Sequence, residues 1–405
     1  MGECFDISPK SGKSMGVKSM REIAIIGTGW IPIGAYPDRA EHELLAPVVK
    51  EAMDDAGVEK KQLAGAVIID RSYNEQYMFE NWFPSAHLGL ELNLCAKALC
   101  GGASGGAALR YAAYAIAAGE IDVCLVAAVS KETQVSTPDH LAFTANTFDR
   151  DFEAPHGVTI TGVNGGMVTQ RYMHDYGVAQ EQIALSVVRN REHATRNPIA
   201  RYREPSITAA DVLNSRLVAD PCRLLECAPR DDGAAALVLV AGDHAADFRG
   251  QPIYLRGMGE HHDPASFISK NLAELPGIGE AGRRAYAQAG IKAFDLDLAE
   301  IYAPFAVLDL IILEELGLCS RGRAGDFIAE GQTHLGGKIP INPSGGLTSR
   351  GHPPFASELY GIIEVVEQLR GKAGERQIKG ASLGLAMGAH SGDNGATVEI
   401  LERRG

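Results

Sequence analysis

The sequence has no uninterrupted apolar stretch of the roughly 18–20 residues that a membrane-spanning helix requires, so a soluble protein is expected. Positive charge is scarce: 38 Lys and Arg stand against 51 Asp and Glu, a formal charge of −13. A chain of that sign repels nucleic acid and anionic membranes, and neither is expected as a partner. An anionic substrate would need a local basic pocket. Cysteines are few and scattered, at positions 4, 95, 100, 124, 222, 227 and 319, with no C-x-x-C pair. That pattern gives neither a disulfide framework nor a zinc site, so no metal is expected and a reducing cytoplasmic setting is. The first twenty residues, "MGECFDISPKSGKSMGVKSM", lack the apolar core of a signal peptide and read as a mobile polar tail.

What is present is ordinary in bulk and organised in detail. Hydrophobic residues make up 45% and charged residues 22% of the 405, a globular composition long enough for two structural units. "REIAIIGTGW" (21–30) is a β-rich run, and "EHELLAPVVKEAMDDAG" (41–57) has helical periodicity closing on Gly57. "LAGAVIID" (63–70) is a second buried strand; a helix over 104–118 and the strand "VCLVAAV" (123–129) follow. Near-continuous apolar strands alternating with helices argue for an α/β sheet covered on both faces. Gly27-Thr28-Gly29 lacks the third glycine and distal acid of a dinucleotide site.

The pattern also repeats. "AMDDAGVEKKQLAGAVII" (52–69) and "AYAQAGIKAFDLDLAEIY" (285–302) share a helix, an Ala-Gly stop and a strand. The glycine turn and helix of 101–119 has a counterpart at 351–371. Two correspondences in the same order argue for a duplication, with halves at 21–250 and 251–405. Residues 140–177, rich in Gly, Thr and Asn, read as part of an inserted loop region over about 130–220 that covers a site. The apolar residues of 72–92 point to a substrate or dimer surface.

Four segments carry a family likeness: "GEIDVCLVAAVSKET", "PCRLLECAPRDDGAAALVLV", "LAEIYAPFAVLDLIILEELGLCS" and, above all, "NPSGGLTSRGHP" with "QLRGKAGERQIKGA". Over 21–403 the chain resembles the thiolase superfamily, in its sterol-carrier-protein/lipid-transfer branch. The resemblance implies a duplicated five-layered αβαβα fold, usually a homodimer, that makes or breaks a carbon–carbon bond beside a CoA thioester carbonyl. Acyl-CoA is then the substrate, coenzyme A is substrate or product, and no bound cofactor is expected.

Such chemistry needs a proton-transfer group and donors for an oxyanion or enolate. By resemblance, His352 of "SRGHP" occupies the catalytic histidine position, with Gly351 allowing close substrate approach. Tyr302 falls where the oxyanion-hole Asn or His of the family sits, as a donor or weak acid, or simply as a core tyrosine; Pro304 departs from the pattern there. "MGAHSGDNGA" resembles the loop that holds the second cysteine of degradative thiolases, but no cysteine follows Cys319. His390 is either the replacement acid/base or a backbone-bonded loop residue, with Ser391 and Gly392 as oxyanion donors. The family nucleophile, counted back from Gly119, lands on Gly102 rather than on Cys100. A strand rises about 3.3 Å per residue, so that offset carries a sulfur out of register. Cys100 is thus a nucleophile on a lengthened turn or a buried thiol, with Gly102 and Ser104 as groups against which a thioester lies. Asp231-Asp232 reads as a turn before a strand.

Three functions follow from the resemblance. One is thiolase-type acyl transfer, including thiolysis of a 3-oxoacyl-CoA through Cys100. Another is a cysteine-independent retro-aldolase acting on a CoA-linked side chain with a small zinc-ribbon/OB-fold subunit. The last is an inactive carrier or scaffold subunit, against which the retained His352 argues.

Overall fold

The structure, a computed structural model, describes residues 21–71, 84–264 and 271–404; the tail expected at 1–20 lies outside them. The first half runs β1 (Ile23–Trp30), α1 (Glu41–Ala56), β2 (Gly65–Arg71), β3 (Leu94–Lys97), α2 (Ser104–Ala117) and β4 (Val123–Ser130). An excursion follows: α3 (Thr137–Thr144), α4 (Thr169–Tyr176), α5 (Gln180–Thr195), α6 (Ala209–Asn214) and a hairpin of β5 (Leu217–Ala219) and β6 (Cys222–Arg223). The chain re-enters the sheet as β7 (Gly233–Ala241). The second half runs β8 (Ile253–His262), α7 (Pro276–Ala289), β9 (Leu298–Glu300), α8 (Ala306–Glu315), α9 (Ala324–Ala329), α10 (Ser357–Arg370), β10 (Leu383–Ala389) and β11 (Gly395–Glu402).

The nine main strands form one sheet in the order β3-β2-β4-β7-β1-β8-β11-β10-β9. Read outward from its middle, the two halves match. β1, β7, β4, β2, β3 is answered by β8, β11, β10, β9, with Ile341 bridging Ala299 in parallel where a fifth strand would lie. The halves join where Ala24 and Ile25 of β1 pair antiparallel with Tyr254 and Ile253 of β8. The expected duplication is therefore real in strand order.

Alternation along the strands explains the layers. In β4, Val123, Leu125, Ala127 and Val129 face a cluster with Leu44, Val48 and Ala52 of α1. Cys124, Val126 and Ala128 face the other way, towards Leu109 and Ile116 of α2 and Leu359 and Ile363 of α10. Helices α2 and α10 touch each other and the strands of both halves, so they form the middle layer. A third cluster packs α7 and α8 on the outer face of β10 and β11, through Leu385, Met387, Val398 and Ile400. The result is helix, sheet, central helices, sheet, helix: five layers, with β1, β4, β7, β10 and β11 buried on both faces.

Two glycines of "IGTGW" serve this packing. A Cβ on Gly27 or Gly29 would come within 2.1 Å of the Ala52 oxygen or 2.2 Å of the Val48 oxygen, so they let α1 lie on β1. Gly57 closes α1 at φ 74°, the left-handed cap its position predicts.

One expectation is corrected. The region over 130–220 is largely helical, not loop; its Gly and Thr content is concentrated in wide turns such as Thr161–Val168. Of the apolar stretch 72–92, residues 72–83 lie outside the described residues, while Leu88 and Leu90 are buried beneath α1 rather than on a surface.

Candidate active site

The loops leaving β9 and β10, the turns before α2 and α10, and the excursion after β4 converge on a cavity of about 630 Å³. Cys100, Gly102, Tyr302, His352, His390 and Gly392 line it. His140, Phe143, Thr144, Ile160 and Asn164 close it from the excursion.

The "NPSGGLTSRGHP" motif builds the site by hydrogen bonding. Asn342, at φ 51°, accepts the Ile301 N–H through its side chain at 2.8 Å and donates its own N–H to the Ala299 carbonyl at 2.8 Å. That fixes the backbone directly before Tyr302. Beneath it Glu300 accepts the Ser344 N–H and hydroxyl at 2.8 and 2.7 Å and pairs with buried Arg350 at 3.3 Å. On the far side the Pro304 carbonyl accepts the Ala228 N–H at 2.8 Å, so Pro304 leaves the segment clamped at both ends. His352 is held through its backbone: its N–H donates to the Asp231 carboxylate at 3.1 Å and its carbonyl accepts the Asp231 N–H at 3.0 Å. Asp231 is therefore not only a turn residue before β7: it fixes the backbone of His352.

The centre of the site is one contact. The Tyr302 hydroxyl lies 2.8 Å from His352 Nε2, with both rings buried and crossing edge to face at 5.4 Å. Burial pushes the Tyr302 phenol up, and the carboxylates of Asp393, Glu132 and Glu358 add to it. Burial, then the Arg350 guanidinium and His140, push the His352 imidazole down to about 3. Both groups are therefore uncharged across the neutral pH range and share one hydrogen bond, whose donor is set by the imidazole tautomer.

Gly102 explains how the tyrosine fits. A Cβ there would stand 2.2 Å from Tyr302 Cζ and 2.5 Å from Cε1. The ring fills the volume that a side chain at 102 would take. The position where the family count puts the nucleophile thus holds a phenol from the opposite half.

The other expected site residues fall in three groups. Cys100 lines the cavity, but burial, then Glu260 and Glu358, push its thiol up, the reverse of thiolate activation. His390 also lines it; its ring packs against His262 at a 34° tilt with centroids 3.7 Å apart, and its Nε2 lies 3.8 Å from Glu260. Burial, then His262, lower His390 to about 4. Gly392 takes φ 77° in the turn after His390; the Ser391 side chain lies outside the described residues. The neighbouring N–H groups of His390 and Asp393 are spent within that loop, on the carbonyls of Gly395 and His390.

Ser104 and Gly351 are corrections. The Ser104 hydroxyl donates to the Gly101 carbonyl at 2.6 Å and accepts the Cys100 N–H at 2.9 Å, so it caps the turn before α2 and does not line the cavity. A Cβ on Gly351, at φ 109°, would meet Ile33 at 2.5 Å and Asp231 at 2.9 Å; protein, not substrate, approaches there. His352 also precedes the first turn of α10 by several residues, and its N–H bonds the Asp231 carboxylate.

Sequence reasoning missed His262, Glu260, Asp231 and the pair formed by the Asn164 amide and Asp393. The signal for Glu260 and His262 was their two-residue spacing on a strand that ends at the cavity.

Comparison with known proteins identifies the family. Residues 23–243 match the thiolase N-terminal domain and residues 259–403 the thiolase C-terminal domain-like family. An acetyl-CoA acetyltransferase of Methanothermobacter thermautotrophicus is 34% identical over 388 residues, 95% of this chain and 100% of that one. A 17-hydroxy-3-oxo-4-pregnene-20-carboxyl-CoA lyase of Mycobacterium tuberculosis is 32% identical over 361 residues, 86% and 92% of the two chains. Sterol carrier protein 2 of Bos taurus is 31% identical over 314 residues, 75% of this chain and 57% of that protein. Among solved structures, an Ltp2-ChsH2(DUF35) aldolase superposes with a TM-score of 0.83 at 28% identity, covering 94% of this chain and 98% of that one. The chain belongs to the thiolase superfamily, in its sterol-carrier-protein-2-like branch. Among the described residues no helix is long and apolar enough to cross a membrane.

Proposed function

We propose that this protein cleaves a carbon–carbon bond in the side chain of a CoA thioester by a retro-aldol reaction, with Tyr302 and His352 as the proton-handling pair and no acyl-enzyme. The observation that carries this reading is the Tyr302 ring in the side-chain volume of Gly102, with its hydroxyl 2.8 Å from His352 Nε2. A nucleophile at 102 and this tyrosine exclude each other. The lyase and aldolase relatives support the same reading.

In the proposed step the β-hydroxyl of the substrate gives its proton to the Tyr302 oxygen as the phenol proton passes to His352 Nε2. The C–O bond becomes a carbonyl, and the Cα–Cβ electron pair moves into the thioester as an enolate. The stored proton then returns to the α-carbon. The products are a ketone or aldehyde and a shortened acyl-CoA, with no net change in protons. Burying a neutral pair keeps the resting proton on the phenol, where it is ready to move only when a donor approaches.

A second reading, acyl transfer through Cys100, draws on the thiol's place in the same cavity and on the acetyltransferase relative. Intact mass after incubation with an acyl-CoA separates the two. The retro-aldol reading predicts no covalent adduct and product formation from a β-hydroxyacyl-CoA; an acyl adduct lost in Cys100→Ala would overturn it.

We further propose a homodimer that works with a small zinc-ribbon/OB-fold subunit. The sheet edge at β3 and the exposed Tyr111 and Tyr114 of α2 support the dimer. The DUF35-containing aldolase supports the subunit. Co-purification from the native host, read by mass spectrometry, tests it.

A further inference from the structure

Beside the tyrosine–histidine pair the cavity carries a second cluster that the reaction above does not use. Glu260 and His262 lie two residues apart on β8, so the strand's alternation puts both side chains on one face. The turn after β10 brings His390 to the same place, its N–H bonded to the Gly395 carbonyl where β11 pairs with His262. Glu260 Oε1 lies 3.2 Å from His262 Nε2 and 3.8 Å from His390 Nε2, and the three ligating atoms fall within 4.8 Å of one another.

The hydrogen bonding leaves a gap in this cluster. The His390 ring bonds the Ala396 backbone, yet its Nε2 has no hydrogen-bond partner although the residue is only 5% exposed. The open Nε2 stands 3.8 Å from Glu260 Oε1, beyond hydrogen-bond reach. A cation at this point would satisfy the open Nε2 and the half-buried carboxylate together. Arg110 does not supply it: its Nε holds the other carboxylate oxygen, Oε2, at 3.0 Å, which orients Oε1 towards the two imidazoles. An oriented carboxylate with two imidazoles is a common ligand set for a borderline divalent cation, and a charged group behind the ligand is how such sites are supported.

We propose that Glu260, His262 and His390 form a divalent-cation site, suited to Zn²⁺ or Co²⁺, on the wall of the cavity. Ligands about 2.0–2.2 Å from a tetrahedral metal stand about 3.4 Å apart, so the cluster needs only a modest closure. His262, with its side chain 53% exposed, is free to provide it. Both imidazoles line the cavity, so the coordination positions left over face the substrate. The ligand class is an oxygen donor, the β-oxygen or thioester oxygen of the acyl chain. That substrate role rests on the proposed retro-aldol reading; binding of the cation does not.

The test uses the full-length protein freed of metal and titrated with Co²⁺, read by visible absorption and by metal content. Wild type is expected to take up one Co²⁺ per chain with a nitrogen- and oxygen-ligated spectrum. His262→Ala, a half-exposed change that leaves the core intact, should weaken uptake by at least about tenfold. Glu260→Gln should do the same, and His244→Ala, a surface pair elsewhere, should not. No stoichiometric uptake by wild type, or uptake unchanged in His262→Ala, overturns the site. His352→Ala separates the two claims: it is expected to keep the Co²⁺ spectrum while losing cleavage. Its loss of the spectrum would place the cation elsewhere and contradict the assignment.

Discussion

The two glycine turns that lead into the central helices are equivalent in the duplicated fold and have opposite chemistry. The turn before α2 presents a bare backbone at Gly102 to the cavity, and the turn before α10 presents the His352 imidazole. The empty place in the first half is filled from the second by Tyr302. The second half thus supplies both side chains of the contact, the imidazole from its own turn and the phenol that reaches across to Gly102. In the proposed retro-aldol reading the phenol stands where a thiolase-type site would use sulfur at 102, and a phenol moves protons more readily than it forms acyl esters.

The difference between the turns can be broken from either side. Removing the imidazole has the largest expected effect: His352→Ala should lower kcat by roughly 10²- to 10⁴-fold, the range of a lost general acid–base group. Filling the empty turn should come close to it. Gly102→Ala places a Cβ 2.2 Å from Tyr302 Cζ, which must displace the ring and break its bond to His352. We expect a loss of about 10²-fold in kcat, with thermal stability reduced by the same clash.

A smaller effect concerns stability and separates the two buried ionisable layers. Burial raises Glu358 to about 8, although it accepts the Gly106 N–H and the Thr397 hydroxyl. Folded protein then keeps a proton that the unfolded chain releases above about pH 4.5, so stability falls as pH rises towards 8. His352 and His193, each lowered to about 3, work the other way: stability is lost as pH falls from their ordinary range towards 3. Thermal unfolding should therefore be most resistant in mildly acidic buffer. Glu358→Gln should flatten the alkaline side while leaving the acid side unchanged; an unaltered alkaline slope would show that other buried carboxylates, such as Glu300, set it.

Much of this was legible in the sequence. The strands of β1, β2 and β4, the Gly57 cap and the repeat of the Ala-Gly helix ends gave the layers, because period and cap chemistry are local. The count from Gly119 picked out Gly102, and the glycine motif picked out His352. What stayed hidden was relational. Nothing local says that the ring of Tyr302 lies over Gly102, two hundred residues earlier in the chain, or that Ser104 spends its hydroxyl on its own turn. The helices of the excursion were masked by wide turns rich in small residues. Glu260 and His262 gain meaning only when the β10–β11 turn delivers His390 beside them.

The central claim is that the phenol of Tyr302, and not the thiol of Cys100, handles the bond-breaking step. It is tested most directly by kcat on a β-hydroxyacyl-CoA for Tyr302→Phe and Cys100→Ala side by side. Tyr302→Phe keeps the ring over Gly102 and removes only the hydroxyl. The account predicts that it loses roughly 10²-fold or more while Cys100→Ala stays near wild type. Full activity in Tyr302→Phe, with Cys100→Ala inactive, would contradict it.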